Sequence, residues 1–276
     1  MKKDRIFWGT VAPLAAVVSS LLLVSVILIL RGANPIDIFQ VMISYGFDPR
    51  NLVSELNQTV SYYLAGVAAA IGFKMLLFNI GIDGQYRMGA FFGAVVGAAV
   101  SLPPVLHVLL IVITAMLAGG LWAAIAGYLK VRRGVSEVIS NIMLNFIAAA
   151  IIAFLLGEDL LGILPEGSQN VQTKPIPLSG QMPTFKMFNG EIYSFLFVAI
   201  FVGIAYWIML NKTVFGFNLR ATGLSFRAAR SSGVNAPGMI FITTVLSGAI
   251  AGLVGLGTLL SDTHSYSMAF LSGFAF

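Results

Sequence analysis

Apolar residues in this chain come in long, nearly uncharged runs, at about 7–30, 60–77, 87–102, 105–129, 138–156, 193–210 and 239–260. Each approaches the roughly 20 residues that a helix needs to cross a bilayer, although the run at 87–102 is short. The pattern predicts an all-α, polytopic membrane protein with about seven spanning helices. The first run follows Lys2, Lys3 and Arg5, as the core of a signal peptide would, but such cores extend over only about 7–15 residues. This run is long enough to span and no small-residue cleavage site follows it, so it reads as a retained helix. Residues 31–58 mix apolar side chains with Asp37, Asp48, Arg50 and Glu55, which predicts an amphipathic segment lying along the surface. Pro103 and Pro104 place a sharp turn between two of the runs.

The pattern is interrupted most sharply at residues 78–85, FNIGIDGQ. Asn79, Asp83 and Gln85 fall where a membrane chain has little reason to place polar groups, and Gly81 and Gly84 loosen the backbone. A broken helix within a membrane is tolerated only where protein or a water-filled cavity surrounds it. Such breaks often sit on the solute path of transporters. A tight turn on the membrane surface is the other reading, and the residues leave both open. In the span after Arg133, residues Glu137, Asn141 and Asn145 recur at intervals of four and share one helical face. The two amides either meet a hydroxylated solute or bond a neighbouring helix. Glu137, close to Lys130, Arg132 and Arg133, reads as their interfacial partner. Gly93 with Gly97, and Gly248 with Gly252, followed by Gly255 and Gly257, predict close helix packing.

Composition agrees with this class. Of 276 residues, 58% are hydrophobic and 10% charged, against roughly 25% charged in a soluble domain. The mean hydropathy is +0.92. The absence of cysteine excludes disulfides and cysteine-based metal sites. The net charge of +5 matters less than its placement. Lys2, Lys3, Arg5, Lys74, Arg87, Lys130, Arg132, Arg133, Lys212, Arg220, Arg227 and Arg230 fall on one side of the predicted membrane. Arg31, Arg50, Lys174 and Lys186 fall on the other, with Asp37, Asp48, Glu55, Glu158, Asp159, Glu166 and Glu191. The positive-inside bias therefore predicts a cytoplasmic N-terminus, an external loop at 157–192 and a cytoplasmic loop at 211–238. Within that last loop, residues 224–232 predict a short helix carrying Arg227 and Arg230, ended by Gly233 and Pro237. Its basic residues serve either to dock a partner or only to face acidic lipid.

Enzyme chemistry finds no purchase here. There is no GxSxG elbow, no HExxH and no Walker A pattern. The two histidines, His107 and His264, lie far apart in sequence. His107 reads as a packed residue, and His264, beside Asp262, as a solvated residue at the membrane edge. LSGQ at 178–181 matches part of an ATPase signature, but in an external loop the match reads as chance. No metal or cofactor is expected in the chain, and if it uses ATP another subunit must hydrolyse it.

Four blocks carry a family resemblance: FNIGIDGQYRMGA (78–90), SEVISNIMLNFIA (136–148), GFNLRATGLSFRAARSSGV (216–234) and SGAIAGLVGLGTL (247–259). In this order they resemble the permease subunits of bacterial ABC importers for simple sugars and nucleosides, a group that includes branched-chain amino acid permeases. The second block and the long loop after it look most like the nucleoside-type permeases. The resemblance implies a single transmembrane permease domain over 1–276 in the cell membrane. It also implies two ATPase subunits, a second permease chain (the same or different) and an external substrate-binding lipoprotein. It places Asn79, Asp83, Gln85, Asn141 and Asn145 near the central path. Arg220, Gly223, Arg227, Arg230 and Gly233 fall in the segment that would couple to the ATPase. Asp83 stands where the family usually has Glu. The family also runs further, through a second glycine-rich broken element starting near SYSMAFLSGFAF, so a truncated or fragmentary reading frame is expected. A simple-sugar importer of the same build is the nearest alternative. An ion-coupled secondary transporter using Asp83, and a structural membrane scaffold, are alternatives of other classes.

Overall fold

The computed structural model describes residues 2–157, 160–187 and 190–270, with side chains from residue 11 onward. The side chains of Lys2, Lys3 and Arg5, residues 158–159, and the end of the SYSMAFLSGFAF stretch lie outside the described part. The chain divides into two compact units, Met1–Leu52 and Val53–Phe276.

In the first unit, helix α1 (Lys2–Leu30) is followed by a turn in which Gly32 has φ +77°. Helix α2 (Pro35–Gly46) starts where the Asn34 side chain accepts a hydrogen bond from the Ile36 N–H at 3.1 Å. Pro35 then takes a first-turn position, where its missing N–H costs nothing. Helix α3 (Pro49–Phe73) begins in the same way, with Asp48 accepting from the Arg50 N–H at 2.9 Å. The predicted amphipathic segment is thus α2 together with the first turns of α3.

The second unit contains the remainder of α3, then α4 (Ile82–Ala99), α5 (Pro104–Arg133) and α6 (Glu137–Leu155). After the 157–192 connection come α7 (Phe195–Lys212), α8 (Val214–Leu224), α9 (Phe226–Ser231), α10 (Ala236–Ala251) and the short α11 (Leu256–Thr258), which runs on as a π-helical turn, Leu259–Thr263. Among the described residues, five segments are long and apolar enough to cross a membrane: Val11–Leu30, Pro104–Arg133, Glu137–Leu155, Phe195–Lys212 and Ala236–Thr263. The other two expected spans are α3 and α4. Their polar residues, from Asn57 and Gln58 in α3 to Asp83, Gln85 and Arg87 in α4, keep them below that apolar level. The architecture is an all-α, polytopic membrane fold.

Its core forms where α3, α4, α5, α10 and α11 meet. Leu64, Ala68, Tyr86, Phe91, Ala115 and Leu256 are all fully buried there. Glycine permits the backbones to meet. A Cβ on Gly93 would lie 3.4 Å from Ile111, and one on Gly248 would lie 2.6 Å from the Gly119 carbonyl oxygen. The two small-residue pairs predicted for packing do pack, against α5.

The 157–192 connection is more ordered than a loop. Strands β1 (Gly162–Ile163) and β2 (Gln172–Thr173) pair antiparallel, as do β3 (Thr184–Met187) and β4 (Gly190–Tyr193). Between the two ribbons the LSGQ stretch makes a single 3-10 turn, Leu178–Gly180, that sits on His107. The His107 ring is fully buried, with Nδ1 2.9 Å from the Ser179 hydroxyl and Nε2 2.9 Å from the Gly97 carbonyl oxygen. It is a packed residue that ties this connection to the end of α4. A His107→Leu variant would remove both bonds, one of them to the half-buried Ser179, and an unsatisfied buried group costs about 1–3 kcal/mol. Limited proteolysis is expected to cut residues 176–182 several-fold faster in this variant. An unchanged rate would mean that two backbone bonds, Ile176 N–H to His264 O (2.8 Å) and Met182 N–H to Leu260 O (2.9 Å), hold the turn without His107.

Candidate functional site at the break between α3 and α4

The polar break lies at residues 74–81, slightly earlier than the sequence pattern places it. Helix α3 ends in a Schellman-type turn: Leu77 N–H bonds Gly72 O and Leu76 N–H bonds Phe73 O, each at 3.1 Å. The left-handed position of that turn is held by Leu76, at φ +57°, where glycine is the usual occupant. Asp83, Gly84 and Gln85 are not part of the break. The Gln85 N–H already bonds the Gly81 carbonyl at 3.0 Å, so these residues form the first turns of α4. Gln85 is polar because it bonds sideways to the break, whereas Asp83 pairs with Arg87 within α4.

Asn79 is the hub of that lateral bonding. Its Nδ2 donates to Gln85 Oε1 and to Ser247 Oγ, both at 2.8 Å. Its Oδ1 accepts from Gly81 N–H at 3.1 Å and from Gln85 Nε2 at 3.0 Å. Asn141 Nδ2 reaches the same oxygen at 3.5 Å. Ser247, on α10, donates in turn to the Ala68 carbonyl of α3 at 2.6 Å. One turn further along α6, Asn145 accepts from the Gly84 N–H at 2.9 Å and donates to the Ile80 carbonyl at 3.0 Å. The predicted shared face of Asn141 and Asn145 therefore turns to the break, and both asparagines bond the chain beside them. Gln85 and Asn141 are buried, whereas Asn79 and Asn145 are half-buried.

Two ion pairs lie nearby. Arg87 Nε lies 3.1 Å from both carboxylate oxygens of Asp83, one helical turn back. The Tyr86 hydroxyl contacts Asp83, and the Tyr266 hydroxyl contacts Arg87. Glu137 meets Lys130 at 2.6 Å, as its place near the basic residues predicted.

Sequence reasoning missed several members of the site. Helix α10 is itself interrupted, at residues 252–255, and Ser61 of α3 donates to the freed Val254 carbonyl at 2.9 Å. The signal available was a serine inside an apolar run, since such a hydroxyl must bond something within the protein. Two buried atoms near the first turns of α4 have no partner among the described residues: Asn141 Oδ1 and Trp122 Nε1. A Cβ on Gly81 would lie 2.5 Å from the former, and one on Gly84 3.2 Å from the latter. One acceptor and one donor thus flank the start of α4.

The predicted coupling residues divide by environment. Helix α9 forms as expected, with Ser225 accepting from the Ala228 N–H at 3.2 Å to cap its start. Gly233 follows its end at φ +85°, a left-handed position suited to glycine. Pro237 does not end α9. It lies in the first turn of α10, which Asn235 caps. Arg227 and Arg230 are exposed on α9. Arg220 is half-buried and donates to the Leu210 carbonyl at the end of α7. Gly223 faces inward, against the backbone of Lys74 and Met75.

The chain is similar over most of its length to known proteins. The family described as branched-chain amino acid transport system / permease component matches residues 51–276. A glucose ABC transporter permease protein of Haloferax volcanii is 30% identical, over 98% of this chain and 72% of its own length. A guanosine ABC transporter permease protein of Bacillus subtilis is 32% identical, over 88% of this chain and 70% of its own. A nucleoside ABC transporter permease protein of Lactococcus lactis is 30% identical, over 88% and 69%. No solved structure matches the chain.

Proposed function

We propose that this chain, which belongs to the branched-chain amino acid transport system permease component family, is the membrane subunit of an ATP-driven nucleoside importer. The observation that carries the reading is the likeness, over most of the chain, to permeases named for guanosine and for nucleosides. The glucose permease, alignable over nearly the whole chain, favours a sugar as the second reading. A nucleoside and a free sugar both present hydroxyls that amide side chains can bond.

The mechanism is alternating access. An external lipoprotein delivers the solute to a pair of permease chains, the same or different. A pair of ATPase subunits closes on ATP, engages 224–235 on the cytoplasmic side and rocks the two bundles around the solute. ATP hydrolysis belongs to those partners. The N-terminus is cytoplasmic, which puts Arg227 and Arg230 of α9 on the ATPase side. Asn79, Gln85, Asn141 and Asn145 form the wall of the path at the start of α4. Their mutual bonding makes them a scaffold for solute contacts, with Asn141 Oδ1 and Trp122 Nε1 as groups left to bond. The ion-coupled alternative needs a carboxylate free to exchange an ion, and Asp83 has Arg87 against both its oxygens.

The decisive experiment is a mild-detergent pull-down of the chain from its native membrane. A Walker-A ATPase is expected in equal amount. An Arg227→Glu/Arg230→Glu variant is expected to lose at least about tenfold of that retention while inserting normally. Retention unchanged in this variant would remove α9 from the docking surface. In vesicles loaded with the complex, guanosine uptake should persist when the proton gradient is collapsed. Unlabelled nucleosides should compete and glucose should not. Competition by glucose alone would establish the sugar reading.

A further inference from the structure

Gly223 belongs to the segment that would couple to the ATPase, yet it faces away from any external partner. A Cβ placed on it would collide with the Lys74 carbonyl oxygen and come within 3.1 Å of Met75 Cα. These are backbone atoms of the break, which cannot swing aside as a side-chain tip could. Met75 is also seated from α10, where the Thr243 hydroxyl lies 3.2 Å from its sulfur. Four residues on, the same connection carries Asn79, which bonds Gln85 of α4 and Ser247 of α10. Between the seat and the hub, Leu76 holds a left-handed conformation, which side-chain-bearing residues seldom adopt. Such a conformation persists only where the surrounding structure holds it, so a movement of those surroundings acts directly on this segment.

We infer that the 74–81 connection is the relay between the coupling segment and the wall of the solute path. Gly223 is its seat: a positioning residue that passes the displacement of α8 directly to the backbone of Lys74 and, through Asn79, to α4 and α10. This inference rests on the proposed ATPase-driven reading. It assigns Gly223 away from ATPase contact, leaving that task to exposed residues such as Arg227 and Arg230. The relay demands backbone-to-backbone contact because a flexible side chain between the two segments would absorb the movement instead of transmitting it. Glycine is the residue that permits such contact.

The test uses the whole complex in native-membrane vesicles. This chain has no cysteine, so a Leu76→Cys variant gives it a single reporter at a position 72% exposed. The maleimide labelling rate of that cysteine is expected to change at least threefold when a non-hydrolysable ATP analogue binds the ATPase. Adding Gly223→Ala should abolish the change and lower uptake at least tenfold, with ATPase retention and ATP hydrolysis within twofold of the unmodified complex. Three results would overturn the relay. One is a labelling rate indifferent to nucleotide in Leu76→Cys alone. Another is a response that survives Gly223→Ala. The third is loss of the ATPase in Gly223→Ala, which would make Gly223 a docking residue after all. Absence of any ATPase from the unmodified complex would instead refute the importer reading on which the relay depends. Because the first measurement leaves Gly223 intact, poor folding of the second variant cannot shield the proposal.

Discussion

A Gly252→Val variant is expected to prevent the permease bundle from assembling. Gly252 is the point at which three backbones converge. Its own Cβ would strike the Ala115 carbonyl of α5, with the carbonyl carbon only 2.9 Å away. From the other side, a Cβ on Gly119 would lie 2.9 Å from Gly252 Cα, and a Cβ on Gly89 of α4 would lie 2.6 Å from it. Overfilling an ordinary core costs about 1–3 kcal/mol, because neighbouring side chains can shift to make room. Here the obstructing atoms are main chain, on α5 and one turn back in α10 itself, so relief requires separating α5 from α10. Loss of the monodisperse peak in size-exclusion chromatography of the detergent-solubilised chain is the expected observation, with Gly252→Ala intermediate. Gly257→Ala is the control. A Cβ there would lie 3.6 Å from Phe195, ordinary van der Waals contact, and the variant should behave as the unmodified chain. A normal peak for Gly252→Val would show that the three helices stand further apart than described.

How much of this was legible beforehand differs from element to element, for physical reasons. The spans could be read because lipid demands long apolar stretches, and a demand imposed residue by residue leaves a visible pattern. The Glu137–Lys130 pair and the α9 helix could be read because each is local, seven residues apart in one case and bounded by a serine cap and a glycine in the other. The break was found but misplaced by a few residues. A glycine beside a polar residue looks the same whether the polar group interrupts a helix or bonds across from its first turn, as Gln85 does. The second interruption, at 252–255, was read as packing alone. Gly252 and Gly255 do pack or turn within an apolar run, and nothing in the run distinguishes a continuous helix from one whose freed carbonyl is met by Ser61, almost two hundred residues earlier. Gly223 was legible only as part of a family segment. What it touches, Lys74, is set by tertiary structure and has no local signature.

The second large effect is expected at Asn79, where it also decides whether the amide cluster holds the wall or holds the solute. Asn79→Leu would remove four short hydrogen bonds at once, two to Gln85 and one each to Ser247 and the Gly81 N–H. Ser247 would keep its bond to Ala68. Gln85, 1% exposed, would be left without the partner for either end of its amide. An unsatisfied buried polar group costs about 1–3 kcal/mol, so the variant should lower the thermal midpoint of the solubilised chain by several degrees and lose uptake with it. A solute contact behaves differently: its loss impairs uptake and spares the midpoint. The Asn79→Leu/Gln85→Leu double variant separates the cases further, because deleting both partners leaves no stranded amide. If the two residues act as a unit, the double variant should be more stable than the sum of the single losses predicts, with a coupling energy of about 0.5–3 kcal/mol for residues in one network. Additive losses, with the midpoint barely moved in Asn79→Leu, would make Asn79 a solute contact and leave Asn145 as the amide that fastens the start of α4 to α6.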